Sequence, residues 1–516
     1  MILTRFAPTK EWIALGFAAL AAVVGLVLGL LTGMVGQPLY LFVAFAGLTV
    51  GVLTLFYVEL GLLALVVLTF TRLSDVLVQY HGAPSVAKLF VPMLLLVVFT
   101  RWLLLQKKPA PWTRTAVLLG VYGLVSFASL LYANDAAAAQ SAFVNYVKDI
   151  LIVLVIVMIL QKGETLRQVV WALLASGAFL ATITTFQHLT GTFTNSYGGF
   201  ALADVQQIIR GTNDFRIAGP LSSNYYALIL VPLVPLAMDR LWHEKSGWLR
   251  LLAGWTLLVS VLSIIFTYSR GGFLALVTVV LLMLLRMKLN RFFLLALVLF
   301  GLLVWQFLPA QYTDRIGTLG SLVGAGRDTA VTSEVSFRGR LSETTVAWQM
   351  FLDHPILGVG LANFSANYQD YSQNYGLDRR LEARAAHSLY LEIAAETGLM
   401  GLLAFGAILW FLFRGVAFAS QTFKAVNLPD YAHISIALGI ALIGYLLGSI
   451  FLHLAYARYL WLFIGLGLAL PNVARYEWAR RQSAPVTAIM QEGEGETKTH
   501  PAPAPSLAIS PSPASQ

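Results

Sequence analysis

The chain has no cysteine among its 516 residues. Disulfides, thiolate nucleophiles and cysteine-ligated metals are therefore excluded. Charge is scarce as well: 11% of residues are Asp, Glu, Lys or Arg, against 58% hydrophobic. A soluble globular domain carries about a quarter charged residues, so a water-facing fold of this length is excluded. The short alternating segments of a β-barrel are missing. No Gly-rich loop ending in Lys-Ser or Lys-Thr occurs, which removes ATP hydrolysis by that route. No His, Asp and Glu stand at a convincing metal-ligand spacing, so neither a metal nor any other cofactor is expected.

What the chain has instead is apolar runs of about 18–25 residues, the length that crosses a hydrocarbon core. The expected fold class is all-α: a polytopic membrane protein of about 12–14 transmembrane helices with a large extracytoplasmic (periplasmic) helical loop. The first run, Trp12–Leu31, is too long for a signal h-region and reads as a span. Leu39–Phe70 is too long for one span and is split near Tyr57-Val58-Glu59. Further spans are expected at Leu89–Leu105, Ala116–Tyr132, Phe143–Leu160, Val169–Leu189, Asn224–Met238, Leu251–Thr267, Gly271–Leu285 and Phe292–Leu308. After the large loop come Leu389–Phe413, Ile434–Phe451 and Tyr459–Leu470.

The net charge of +9 lies largely in short loops between spans, such as Arg101…Lys107-Lys108…Arg114. That is the positive-inside pattern, not a nucleic-acid footprint. Alternation from a cytoplasmic N-terminus puts those loops and both termini in the cytoplasm and the large loop outside. The expected division is a membrane domain over 1–309, the periplasmic loop over 310–387, C-terminal spans over 388–472 and a cytoplasmic tail over 473–516. The tail's Pro, Ala and Ser cannot bury apolar surface, so it should be disordered. Within the loop, Leu341, Thr345, Trp348 and Leu352 fall at helical spacing. His354-Pro355 stops that helix and Gly358-Val359-Gly360 turns the chain. The loop should pack as a helical cap on the membrane domain.

Polar chemistry gathers at the outer face. His387, in Ala386-His387-Ser388-Leu389-Tyr390-Leu391, stands where the loop re-enters the membrane. It is either an interfacial residue bonding a carbonyl or a general base that takes a proton from an acceptor hydroxyl. Arg270, in Thr267-Tyr268-Ser269-Arg270-Gly271-Gly272, sits between closely spaced spans. An arginine there either snorkels or meets an anion, and guanidinium suits bidentate pyrophosphate contact. The paired glycines would let backbone approach a ligand closely. Arg338 and Arg340 precede the loop helix, Arg216 lies in Phe215-Arg216-Ile217-Ala218-Gly219-Pro220, and Arg379, Arg380 and Arg384 precede His387. Together they make the outer face basic, against the usual bias of exterior loops, which points to an anionic substrate.

In these residues the chain resembles the O-antigen ligase and O-antigen polymerase superfamily of bacterial inner-membrane proteins, and most of all the ligases. The resemblance rests on Tyr268-Ser269-Arg270-Gly271-Gly272, on Arg340…Trp348…Asp353-His354-Pro355-Ile356-Leu357-Gly358-Val359-Gly360, and on Ala386-His387-Ser388-Leu389-Tyr390-Leu391 followed by Glu396-Thr397-Gly398-Leu399-Met400-Gly401. Arg216 to Asn224 is also similar, although Ser222-Ser223 stands where Asp-Pro often precedes the Asn. The resemblance implies a metal- and nucleotide-independent transferase in the inner membrane with its active site at the periplasmic face. The implied donor is a glycan on undecaprenyl pyrophosphate, and the acceptor is lipid A–core for a ligase or another lipid-linked repeat unit for a polymerase. It casts His387 as the base and Arg270 and Arg340 as pyrophosphate ligands, with inversion at the anomeric carbon. A transporter of lipid-linked sugars is the reading from a different class. It expects similar halves and ionisable residues at mid-membrane, whereas one large loop breaks any symmetry here.

Overall fold

A computed structural model describes residues 49–209, 212–286, 335–374, 384–452 and 458–483. The expected spans Trp12–Leu31 and Phe292–Leu308, most of the span expected before Tyr57, residues 484–516 of the tail, and Arg379 and Arg380 lie outside the described residues; residues 473–482, expected as disordered tail, instead continue the last helix, with Val473, Ala474 and Glu477 buried in it.

The chain runs as α1 (Val58–Thr71), α2 (Leu73–His81), α3 (Val86–Leu105), α4 (Thr113–Ala128), α5 (Ala136–Ile159) and α6 (Gly163–Thr190). A hairpin of β1 (Leu202–Ile209) and β2 (Thr212–Gly219) follows, then α7 (Ser223–Leu230), α8 (Leu233–His243), α9 (Gly247–Phe266) and α10 (Arg270–Arg286). The large loop contributes α11 (Val335–Asp353) and α12 (Phe364–Asn374). The last membrane helices are α13 (Leu389–Ala425), α14 (Pro429–Gly448) and α15 (Arg458–Gln482). Among the described residues, eight helical stretches are long and apolar enough to cross a membrane, or nine if the bent pair α1–α2 counts as one. Each expected span in these residues falls on helix; most begin before the apolar run, where polar residues extend the first turn, and Asn224–Met238 is divided between α7 and α8 at Val231-Pro232. The split at Tyr57 is real: helix stops at Phe56 and resumes at Val58.

Burial explains the arrangement. In α15 the stretch from Tyr459 to Leu470 is buried almost all round, with Trp461 fully enclosed, so it forms the bundle centre. Around it pack α5 and α13, and α14 joins α13 to α8 and α10. Helices nearer the rim show apolar side chains outward: Leu103 and Leu104 on α3 and Trp410 on α13 are exposed, as lipid-facing positions should be. The antiparallel hairpin β1–β2 departs from the all-α expectation. Its strands mix polar and apolar residues too evenly for an apolar-run reading to find them.

The loop helices dock on the membrane helices through backbone as well as side chains. α13 is broken at Gly398, whose φ of 62° and ψ of −159° suit only glycine. The segment after α11 fits into that break. Leu399 and Met400 N–H donate to the Pro355 and Ile356 carbonyls, at 2.8 and 3.2 Å, while Val359 and Gly360 N–H donate to the Ala395 and Glu396 carbonyls, at 2.8 and 3.0 Å. Glu396 then accepts from Ala362 N–H (2.8 Å) and Phe364 N–H (3.3 Å), which caps the start of α12. A second attachment reaches the α4–α5 turn: Tyr132 Oη donates to the Leu357 carbonyl at 2.6 Å, and Asn363 Oδ1 accepts from Asp135 N–H at 2.6 Å.

The helical spacing in α11 did not say which of its faces packs inward. Ser342, Glu343, Val346, Ala347 and Met350 are the buried ones, whereas Leu341, Trp348 and Leu352 are about half exposed. The apolar stripe of α11 is its outer face, and small residues with one carboxylate form the packed face. Replacing Gly398 by alanine would drive a Cβ into the Ile356 backbone at a forbidden φ. The expected loss is about 1–3 kcal/mol, read as a lower melting temperature of the purified protein and faster proteolysis between α11 and α13.

Candidate active site

His387 lies between the loop and α13, in a left-handed backbone conformation (φ 46°). Its ring is about one-third exposed. Nδ1 stands 3.0 Å from the Ala385 carbonyl oxygen and 3.0 Å from Glu343 Oε2. A carbonyl only accepts, so Nδ1 carries a proton and the lone pair of the neutral ring is on Nε2. The Glu343 carboxylate faces the same proton and is almost fully buried. Its other oxygen, Oε1, accepts from Arg384 Nη1 at 2.8 Å, which neutralises the buried charge. The contact with Glu343, and then its charge, hold the His387 pKa above the ordinary imidazole value, against burial and the opposing positive charge of Arg340.

Glu343 is the residue that sequence reading missed. Its signal was present: a carboxylate one helical turn after Arg340, within the buried stripe that includes Val346 and Met350. The same geometry places one of the two loop arginines. Arg340 stands three residues before Glu343, about 60° from it around the helix, and so shares its flank. Arg340 is half-buried. The side chain of Arg338 lies outside the described residues.

Arg270 opens α10, half-buried, two residues after Tyr268, which also has a left-handed backbone (φ 49°). The glycines beside it admit protein. A Cβ on Gly271 would stand 3.1 Å from the Phe451 ring, and one on Gly272 would stand 2.6 Å from Ala227 Cβ. Arg270 and His387 reach the same end of the bundle by way of α14. Gly271 packs on Phe451 just beyond that helix, and Tyr390, three residues after His387, donates its hydroxyl to the Leu446 carbonyl at 2.9 Å.

Arg216, on β2, is buried and tied to the same corner. Its Nε donates to the Thr267 carbonyl at 2.6 Å and its Nη2 to Asn224 Oδ1 at 2.9 Å. These bonds fasten the hairpin to the turn that presents Arg270. Arg384 likewise has a protein partner in Glu343. The expectation that no His/Asp/Glu group stands at metal-ligand distance needs one correction. Asp239, His243 and His433 come together between α8 and α14, at the far end of the bundle. The Asp239–His243 pair was visible as an i, i+4 spacing, but its partner is on another helix.

Fold and site together define an α-helical membrane protein with a histidine–carboxylate pair and arginines gathered at one end of its helices. Residues 255–406 match a family described as O-antigen ligase. The matched stretch runs from within α9 to within α13. It encloses Arg270, Arg340, Glu343 and His387 and leaves Arg216 outside. No curated protein matches the chain.

Arg216→Lys keeps the charge but cannot reach both Thr267 and Asn224. It should cost about 1–3 kcal/mol, seen in thermal unfolding of the purified protein without any substrate; an unchanged melting temperature would show that the tie does not stabilise the fold.

Proposed function

We propose that the protein transfers a glycan from undecaprenyl pyrophosphate to lipid A–core at the periplasmic face of the bacterial inner membrane. One observation carries this reading: within an O-antigen ligase domain, His387 has its Nδ1 proton engaged by Ala385 and Glu343, at the bundle end that also holds Arg270. Nε2 of the neutral ring is then the base. It takes the proton of the acceptor hydroxyl as that oxygen attacks the anomeric carbon, and the bond from that carbon to the pyrophosphate oxygen breaks with inversion. Arg270 and Arg340, with Arg338 a further candidate, meet the negative charge that collects on the departing pyrophosphate. Arg216 supports this anion site by holding the turn before Arg270. The Glu343 carboxylate stabilises the imidazolium formed in the step, and the proton then leaves to water. None of this draws on a nucleotide or a metal.

The near alternative is a polymerase that adds repeat units to a lipid-linked chain, with the same residues in the same roles. Purified protein, given the lipid-linked donor with and without lipid A–core, separates the two. Glycan on the core, only when core is supplied, is the expected product; longer lipid-linked chains from donor alone would make it a polymerase. Donor crossing a liposome membrane with neither product formed would mean transport instead. His387→Ala should lower transfer by roughly a hundred- to ten-thousand-fold, and Arg270→Ala should also cripple it, with both variants still inserted in the membrane.

The raised pKa of His387 fixes the pH dependence. The base is neutral only above that pKa, so the rate should climb with pH through a value above the ordinary imidazole range. Glu343→Gln removes the charge that favours the imidazolium, so the climb should move to lower pH while the plateau rate falls roughly tenfold or more. A profile that keeps its position in this variant would rule out electrostatic control by Glu343.

A further inference from the structure

The end of the bundle away from His387 carries three arginines that glycan transfer does not use. α13 begins beside His387, and Arg414 lies about seven turns beyond Leu389, roughly 35 Å along the axis. The hydrocarbon core is about 30 Å thick, so Arg414 reaches the opposite interface. There α13 packs against α4 and α15. Each of the three helices contributes one arginine: Arg114 from the first turn of α4, Arg414 from α13 and Arg475 from near the end of α15. Their backbones are fixed relative to one another. Asn472 Nδ2 donates to the Pro111 carbonyl at 3.0 Å, which ties α15 to the start of α4. Gly415 lets α15 come close to α13, since a Cβ there would stand 2.9 Å from Pro471 Cγ.

All three guanidinium groups lie over rings of α13. Arg114 Cζ is 5.2 Å from the centre of the Phe411 ring, Arg475 Cζ 5.4 Å from that of Phe418, and Arg414 Cζ 5.8 Å from that of Trp410. Trp410, Phe411, Arg414 and Phe418 fall within about 100° of arc on α13, so the set makes one face. Arg114 is near enough for its charge to act on Arg475. None of the three makes an ion pair among the described residues, and the carboxylate closest in sequence, Glu477, is buried and turned to Gly163 N–H and Arg480. A guanidinium stacked on a ring keeps its edge of N–H donors outward, and that edge is what phosphate oxygens accept from. Three positive charges on one face, with no carboxylate among them, favour an anion. Trp410 indicates which kind. It is 62% exposed on the lipid-facing side of α13, so the site opens sideways to the bilayer as well as to water.

We propose that Arg114, Arg414 and Arg475 bind the headgroup of an anionic phospholipid in the leaflet on that side, with its phosphate between the guanidinium groups and its acyl chains along α13 beside Trp410. Basic pockets between membrane helices suit such headgroups. Binding is read with no glycan donor or acceptor present, so it stands or falls separately from the transfer reaction. The full-length protein, delipidated in detergent, is titrated with phosphatidylglycerol, phosphatidylethanolamine or inorganic phosphate and followed by native mass spectrometry and thermal unfolding. Expected are one phosphatidylglycerol retained per chain and a higher melting temperature with it, with neither effect from phosphatidylethanolamine or inorganic phosphate. Arg114→Gln and Arg475→Gln should each weaken phosphatidylglycerol binding roughly fivefold or more. Lys245→Gln, which removes a charge from the α8–α9 turn at the same end of the bundle, should not. Should either arginine variant fold poorly, Arg414→Gln, at the exposed rim, makes the same distinction. Equal affinity for the two phospholipids, or equal binding by the parent and the arginine variants, overturns the proposal. Inorganic phosphate that binds as tightly, and is lost in the same variants, overturns it in favour of a site for soluble anions.

Discussion

Everything that places the histidine depends on the mutual docking of two broken segments, residues 355–360 after α11 and the interruption of α13 at Gly398. A helix interrupted in this way leaves carbonyl and N–H groups without intrahelical partners, and leaving them unpaired beside hydrocarbon is expensive. The chain satisfies both segments at once by giving each the other's backbone groups. The consequence is geometric. α11 cannot shift along α13 without breaking that ladder, so Glu343 on α11 and His387 just before α13 keep a fixed separation. Glu396 extends the same logic, since its carboxylate holds the start of α12 from within α13. The motif residues of this region are therefore mostly architectural, and the base is held by backbone as much as by side chains.

The long apolar helices could be read from the sequence because hydrocarbon imposes a length and a composition that few other environments demand. Their ends were harder to read, since polar flanking residues continue a helix without changing its apolar content. The hairpin at 202–219 was invisible for a related reason: its mixed residues obey no strong period, and it is stabilised by Arg216 reaching Thr267 from far along the chain. In α11 the helical spacing was seen, but it did not say which way the apolar residues point. An apolar stripe means burial only when water is the alternative, and beside a membrane the outer face is apolar too.

For the site, motif residues announced themselves singly, but their relations did not. That His387 faces Glu343 and that Glu343 is shared with Arg384 both follow from helix packing over about forty residues of separation. The arginines around His387 and Arg270 were informative as a sum. As individuals, Arg216 and Arg384 serve the interior of the protein, the first as a tie and the second as the counter-charge for a buried carboxylate. What distinguishes Arg270 is that it opens a helix at a corner already fastened by other groups.

The half-exposed apolar face of α11 bears on how this molecule can be taken apart. Leu341, Trp348 and Leu352 point outward while Val346, Ala347 and Met350 point inward. With such residues on both sides, and only Thr344, Thr345, Gln349 and Asp353 among them on the outer one, the helix offers little polar surface to water. The loop is accordingly no soluble lid that could be excised, produced alone and studied as a fragment. Cut from its membrane helices it would expose both surfaces and self-associate. Its boundary in the folding sense is the whole bundle, whatever its boundary in the sequence.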